Sequence, residues 1–76
     1  MIRYIRFFKK SNDELIGEIP VDIDINILLN KYNSKTDDPM MIYSYAIKPE
    51  DENFYMQFLS GYKFDFINYD YFIEYC

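Results

Sequence analysis

The sequence predicts an α+β fold: one small domain over 1–76, with a mainly antiparallel sheet of four to five strands and two helices on one face. Three observations lead there. The chain has 76 residues and 21% aromatic content, enough for a single small core built from large rings with few rotatable bonds. Short runs of β-branched and aromatic residues recur between turn formers. Two further stretches carry apolar residues at helical spacing, which gives the order strand-strand-helix-strand-helix-strand.

The first hairpin comes from "IRYIRFF" at 2–8 and "LIGEI" at 15–19. Between them "KKSNDE" supplies Ser, Asn and Asp, whose short side chains bond to nearby backbone and favour turns. Pro20 has no N–H for a ladder, so the pairing is expected to stop there.

In "VDIDINILLNKY" two periods compete. Val21, Ile23, Ile25 and Ile27 alternate, whereas Ile25, Leu28, Leu29 and Tyr32 form the stripe of a helix with one buried face. Asp22 or Asp24 can accept the free N–H groups at its start, so the reading is a helix over 23–32. "NSKTDDP" at 33–39 is then a polar loop.

"MMIYSYAI" at 40–47 reads as a strand with Met41, Tyr43, Tyr45 and Ile47 on one side and the smaller Ser44 and Ala46 on the other. "PEDENFYMQFLSG" carries helix signals in order. Pro49 opens it, Glu50, Asp51 and Glu52 follow, Tyr55, Phe58 and Leu59 share a face, and Gly61 stops it.

The closing stretch "FDFINYDYFIEYC", 64–76, holds six aromatic rings and three carboxylates. Phe64 and Phe66 share one parity, and Tyr69, Tyr71, Ile73 and Tyr75 the other. A straight strand would put rings on both faces, so a bulge or tight turn at Ile67-Asn68 is expected. On this reading Asp70, Phe72 and Glu74 point away from the core.

Charge narrows the partners. The net charge is −5, and Arg3, Arg6, Lys9 and Lys10 all precede Ser11; beyond that point four lysines face thirteen carboxylates. Such a field repels nucleic acid and anionic membrane and favours a basic protein. No run is long enough to span a bilayer. "MIRYIRFFKK" lacks the apolar run of a signal peptide, so a cytoplasmic location is expected. The single Cys76 excludes an internal disulfide.

Chemistry is sparse. With no histidine in the chain, Cys76 or a serine has no imidazole to activate it, so no catalytic residue is assigned. "DIDIN" at 22–26 imitates the opening of a calcium loop, but Ile27 stands where glycine is needed and Asn33 where a bidentate glutamate is needed. Neither a metal nor a cofactor is expected. Single-stranded RNA binders also set aromatic strands against two helices, yet they surround the platform with basic residues. What remains is a stiff, acidic, tyrosine-rich surface suited to gripping another protein. The residues assigned to that contact are Glu50, Asp51, Glu52, Asp65, Asp70, Phe72 and Glu74. Within the fold, the alternative is that Asp70 and Glu74 pair across strands with Arg3 and Arg6.

The strand "MIYSYAI" before a proline-led acidic helix, together with the closing "YDYFIEY", resembles small immunity proteins of contact-dependent growth inhibition and other polymorphic toxin systems. The opening "IRYIRFFKKSNDELIGEI" is similar to their first hairpin. The resemblance implies a cytoplasmic protein that binds one cognate toxin domain, often a basic nuclease, and occludes its active site or substrate path. This chain ends "EYC" where that pattern runs "ECY", so no role attaches to Cys76. An acidic inhibitor of another origin, such as a phage-encoded nucleic-acid mimic, fits the same charge and stiffness.

Overall fold

Alternation of apolar and polar side chains puts one stripe of each strand into the core, and the sheet is built around that rule. The computed structural model describes residues 3–32 and 44–75. Strand β1 (Arg3–Lys9) turns back into β2 (Leu15–Val21), helix α1 (Ile25–Tyr32) follows, and β3 (Tyr45–Ile47) leads to a 3-10 turn at Pro49–Asp51. That turn continues into the short helix α2 (Glu52–Met56), and β4 (Tyr69–Tyr75) closes the domain. The four strands form one antiparallel sheet in the order β2-β1-β4-β3.

Register fixes which side chains share a face. Arg3, Ile5 and Phe7 stand opposite Tyr75, Ile73 and Tyr71 on one side and Val21, Ile19 and Gly17 on the other. Tyr45 and Ile47 join the same row through Ile73 and Tyr71. Ile5, Val21, Ile47, Tyr71 and Ile73 are buried there with Leu28 from α1 and Tyr55 from α2, so both helices cover this one face. Full burial of such a side chain contributes about 1.5–3 kcal/mol.

Several expectations change at the level of elements. Helix α1 begins at Ile25, two residues after the expected start, because Asp24 caps it: its Oδ1 accepts the Asn26 N–H at 2.8 Å and its carbonyl the Ile27 N–H at 3.0 Å. This capping role also accounts for the calcium-loop imitation at 22–26. Pro20 does not end the hairpin, since it pairs with Tyr4 and the ladder runs on to Val21. Strand β2 is an edge, where a proline is tolerated with its missing donor turned away from the sheet. Helix α2 is shorter than the predicted 13-residue stretch. After Met56 the chain tightens, with Phe58 N–H bonding the Tyr55 carbonyl and Leu59 N–H that of Met56. Gly61 has φ 77°, the left-handed region that glycine adopts freely. The expected strand residues 40–43 lie outside the described residues.

Phe64 and Phe66 do not belong to a split strand. They sit in the connection before β4, where Phe64 is buried with its ring 4.8 Å from Tyr71 and 5.2 Å from Phe66. The parity change is absorbed by a turn that Asp65 organises. Its carboxylate accepts the Ile67 and Asn68 N–H groups at 3.2 Å and the Asn68 amide at 2.8 Å. The Asn68 amide bond in particular holds the Asp65 carboxyl below the usual range.

Tyrosines fill the core with their hydroxyls paired. The Tyr32 and Tyr55 hydroxyls bond each other across α1 and α2, and Tyr62 bonds Tyr71, which also receives the Asp65 N–H at 3.0 Å. Burial pushes the Tyr32, Tyr55 and Tyr62 phenols up from their ordinary value. Because their folded-state pKa values are raised, the stability they contribute is intact below about pH 10 and is lost as pH climbs through the folded values. Unfolding above about pH 10 should therefore coincide with tyrosinate absorption at 295 nm, and Tyr55→Phe should shift the alkaline midpoint.

Gly17 opposes Phe7 where β2 bulges. A Cβ there would lie 2.9 Å from the Phe7 ring, which itself contacts Tyr62, Tyr69 and Tyr71. Alanine ordinarily gains about 0.5–1 kcal/mol over glycine in a regular element. Here overpacking of a ring held by three others outweighs that gain. Gly17→Ala is expected to cost about 1 kcal/mol, read as a lowered midpoint in denaturant with an unchanged slope.

Candidate protein-binding face

The outward residues of each strand meet on the side opposite the helices. Pairing sets Tyr4 beside Glu74 and Pro20, Arg6 beside Phe72 and Glu18, and Phe8 beside Asp70 and Leu15. Ala46 extends the middle row from β3. Among the described residues no helix covers this face.

Ion pairs and rings give it order. Arg6 Nη1 lies 2.8 Å from Glu74 and its Nε 3.5 Å from Glu18, so one guanidinium links β2, β1 and β4. The second Glu74 oxygen accepts the Ser44 hydroxyl at 2.8 Å. Lys10 Nζ meets Asp70 at 2.6 Å, a half-exposed pair of the kind that contributes little stability. Phe8 and Phe72 rings contact edge to face at 5.8 Å. Beside them a cavity of about 330 Å³ is lined by Phe8, Asp13, Ser44, Asp70, Phe72 and Glu74.

The structure brings together three of the seven residues that the sequence assigned to partner contact: Asp70, Phe72 and Glu74. Glu50 is exposed in the 3-10 turn and Glu52 is half-buried at the first residue of α2, so neither belongs to a strand of this face. Asp51 is internal in its chemistry. Lys31 Nζ reaches it at 2.7 Å, and its other oxygen accepts the Lys48 N–H at 3.0 Å, tying α1 to the turn before α2. Burial alone would raise the Asp51 carboxyl, but these donors overcome it and hold the pKa below the usual range. Asp65 is the turn organiser described above.

The expected cross-strand pairs are half right. Arg6 does meet Glu74, whereas Arg3 has the parity of Ile5 and is buried on the core face with its guanidinium 4.7 Å over the Tyr75 ring. Asp70 takes Lys10 instead. Sequence reading missed Phe8, Asp13, Glu18 and Ser44 as members of this face. Tyr4, Arg6 and Phe8 alternate with Arg3, Ile5 and Phe7, so the signal was present, but only the β1–β4 register joins it to Asp70, Phe72 and Glu74.

A family model described as a domain of unknown function, DUF7683, matches residues 2–74. The chain belongs to the DUF7683 family. No curated protein matches it significantly. Among the described residues, the DUF7683 fold has no helix long and apolar enough to cross a membrane and no group of three or more His, Cys, Asp or Glu placed to hold a metal ion.

Asp51 has a depressed folded-state pKa, so its contribution is present above the unfolded value of about 3.9 and is lost as pH falls through the folded one. Asp51→Asn should lower stability at pH 7 by about 1–3 kcal/mol, the effect of losing a charged partner to a largely buried lysine. The gap between variant and parent should narrow below about pH 4, measured by urea titration.

Proposed function

We propose that this protein is an immunity protein: it binds a cognate toxin domain, a basic protein such as a nuclease, and neutralises it by occluding the active site or substrate path. The observation that carries the reading is the sheet face that no described helix covers, where Phe8 and Phe72 share a cavity lining with Asp13, Asp70 and Glu74. Aromatic rings supply contact area at low entropic cost, and the surrounding carboxylates favour encounter with a cationic groove. The residues that make this face are held by cross-strand pairs, so little ordering is required on binding. The acid surplus of the whole chain acts in the same direction. The resemblance in "MIYSYAI" and "YDYFIEY" supplies the biological setting, a cytoplasmic inhibitor produced alongside its toxin.

Carboxylates on a sheet can occupy positions that phosphates take in a nuclease groove, which gives occlusion without any catalysis by the inhibitor. The same chemistry serves an acidic inhibitor of different origin, and the upstream gene separates the two. A large secreted protein with a variable C-terminal region belongs to the immunity reading, and phage structural genes belong to the other.

The test is co-expression with the toxin domain encoded upstream. A stable one-to-one complex on gel filtration and loss of toxicity are expected, and failure to co-purify counts against the proposal. Asp70→Asn combined with Glu74→Gln should slow association at low salt by about tenfold and flatten its salt dependence. Glu50→Gln, in the turn before α2, should change both much less. Equal association rates for the double variant would remove this face from the interaction.

A further inference from the structure

The geometry points to an arginine side chain of the partner as the occupant of the cleft beside the Phe8 and Phe72 rings. This deepens the proposed function and rests on its protein-binding reading.

The cleft is lined by Phe8 and Phe72 together with Asp13, Asp70, Glu74 and Ser44, and among the described residues no cation lines it. Among the described residues, Glu18, Asp70 and Glu74 already share Arg6 and Lys10 in ion pairs. Asp13 is exposed on the hairpin turn and carries the surplus. A cation entering here gains ring contact and carboxylate contact at once. The protein holds a lysine of its own by the same combination: Lys31 Nζ lies 2.7 Å from Asp51 and 4.9 Å from the centre of the Phe54 ring.

Arginine fits this cleft better than lysine. Its planar guanidinium stacks on a ring while its edge forks toward carboxylates, and it is less strongly hydrated than an ammonium. A cavity of about 330 Å³ also accepts the arginine stem along the rings, where its methylenes displace water. Ser44, already donating to Glu74, leaves its hydroxyl oxygen as one more acceptor at the rim.

The experiment titrates the intact protein with a capped arginine amide, N-acetyl-arginine N-methylamide, and follows ring and amide resonances by NMR. The corresponding citrulline and lysine amides serve as comparators. Saturable shifts at Phe8, Phe72, Asp70 and Glu74 are expected, with affinity at least about threefold higher for arginine than for lysine and higher still against neutral citrulline. Phe72→Leu should weaken arginine binding several-fold while keeping the sheet's amide pattern. Asp13→Asn is a second variant with little risk to the fold, since Asp13 has φ 58° and asparagine tolerates that region. It should lower arginine affinity about twofold to threefold.

Equal binding of citrulline, equal binding of lysine, shifts located elsewhere or no saturable shifts would each overturn the assignment. If the cleft ignores arginine while the protein still captures the toxin domain, the cleft assignment fails and the immunity reading stands. If arginine binds the cleft and no toxin is captured, the immunity reading fails and the cleft assignment stands.

Discussion

The pairing of β1 with β4 is the constraint on which everything else depends. These two strands come from opposite ends of the chain, with the Arg6–Glu74 bond joining residues 68 positions apart, and they form the centre of the sheet. On the core side their contact puts Ile5 against Ile73 and Phe7 against Tyr71. On the outer side it puts Phe8 against Asp70 and Tyr4 against Glu74. The core and the candidate binding face are two sides of one ladder. Such long-range pairing must overcome a large loop-closure entropy before it is rewarded, so it is an assembly step that local propensity cannot drive alone.

Tyrosine is the second theme. A small core built from leucine and isoleucine alone would have no polar tips to satisfy. Here Tyr55 and Tyr71 are almost completely buried, and their hydroxyls find Tyr32, Tyr62 and the Asp65 backbone. These bonds hold α1 to α2 and the segment before β4 to β4 itself, alongside the Lys31–Asp51 ion pair and the bond from the Tyr69 N–H to the Asp65 carbonyl. Where the described residues hold two short α-helices, directional bonds of this kind add geometric definition to an otherwise non-directional core.

Most of the fold was legible because its signals are local. The alternation in Tyr69–Tyr75, the stripe in Ile25–Tyr32 and the polar turn before Leu15 each report a period or a turn chemistry within a few residues. The errors arose where a distant partner decides. Pro20 reads as a stop until its strand is known to be an edge. Arg3 and Arg6 read as equivalent until pairing sends one to the core and the other to the open face. Phe64 and Phe66 mimic a strand because burial under Tyr71 selects the same residue types. For the binding face, parity correctly separated Asp70, Phe72 and Glu74 from the core. Composition could not separate Asp51 and Asp65, which are charged residues with structural partners, from acids that face outward.

Arg6 occupies an unusual position, bonded to Glu74 and close to Glu18, and it draws three strands together on the candidate binding face. A slip of β4 by one residue would take Asp70, Phe72 and Glu74 into the core and expose Tyr71 and Ile73. The polar grid on the outside thus helps to keep the register, and Asp70 and Glu74 have two duties. Under the proposed function, in which a recognition surface follows a changing partner, the positions of this face are then not equally free. Ala46, which stands beside Phe72 in the register, can diversify without disturbing the sheet, whereas Asp13, at φ 58° on a turn outside the ladder, can exchange readily only with residues that tolerate the left-handed region. Glu74 and Arg6 can change only together, so new specificities in this architecture should arise first at the margins of the face and last at its centre.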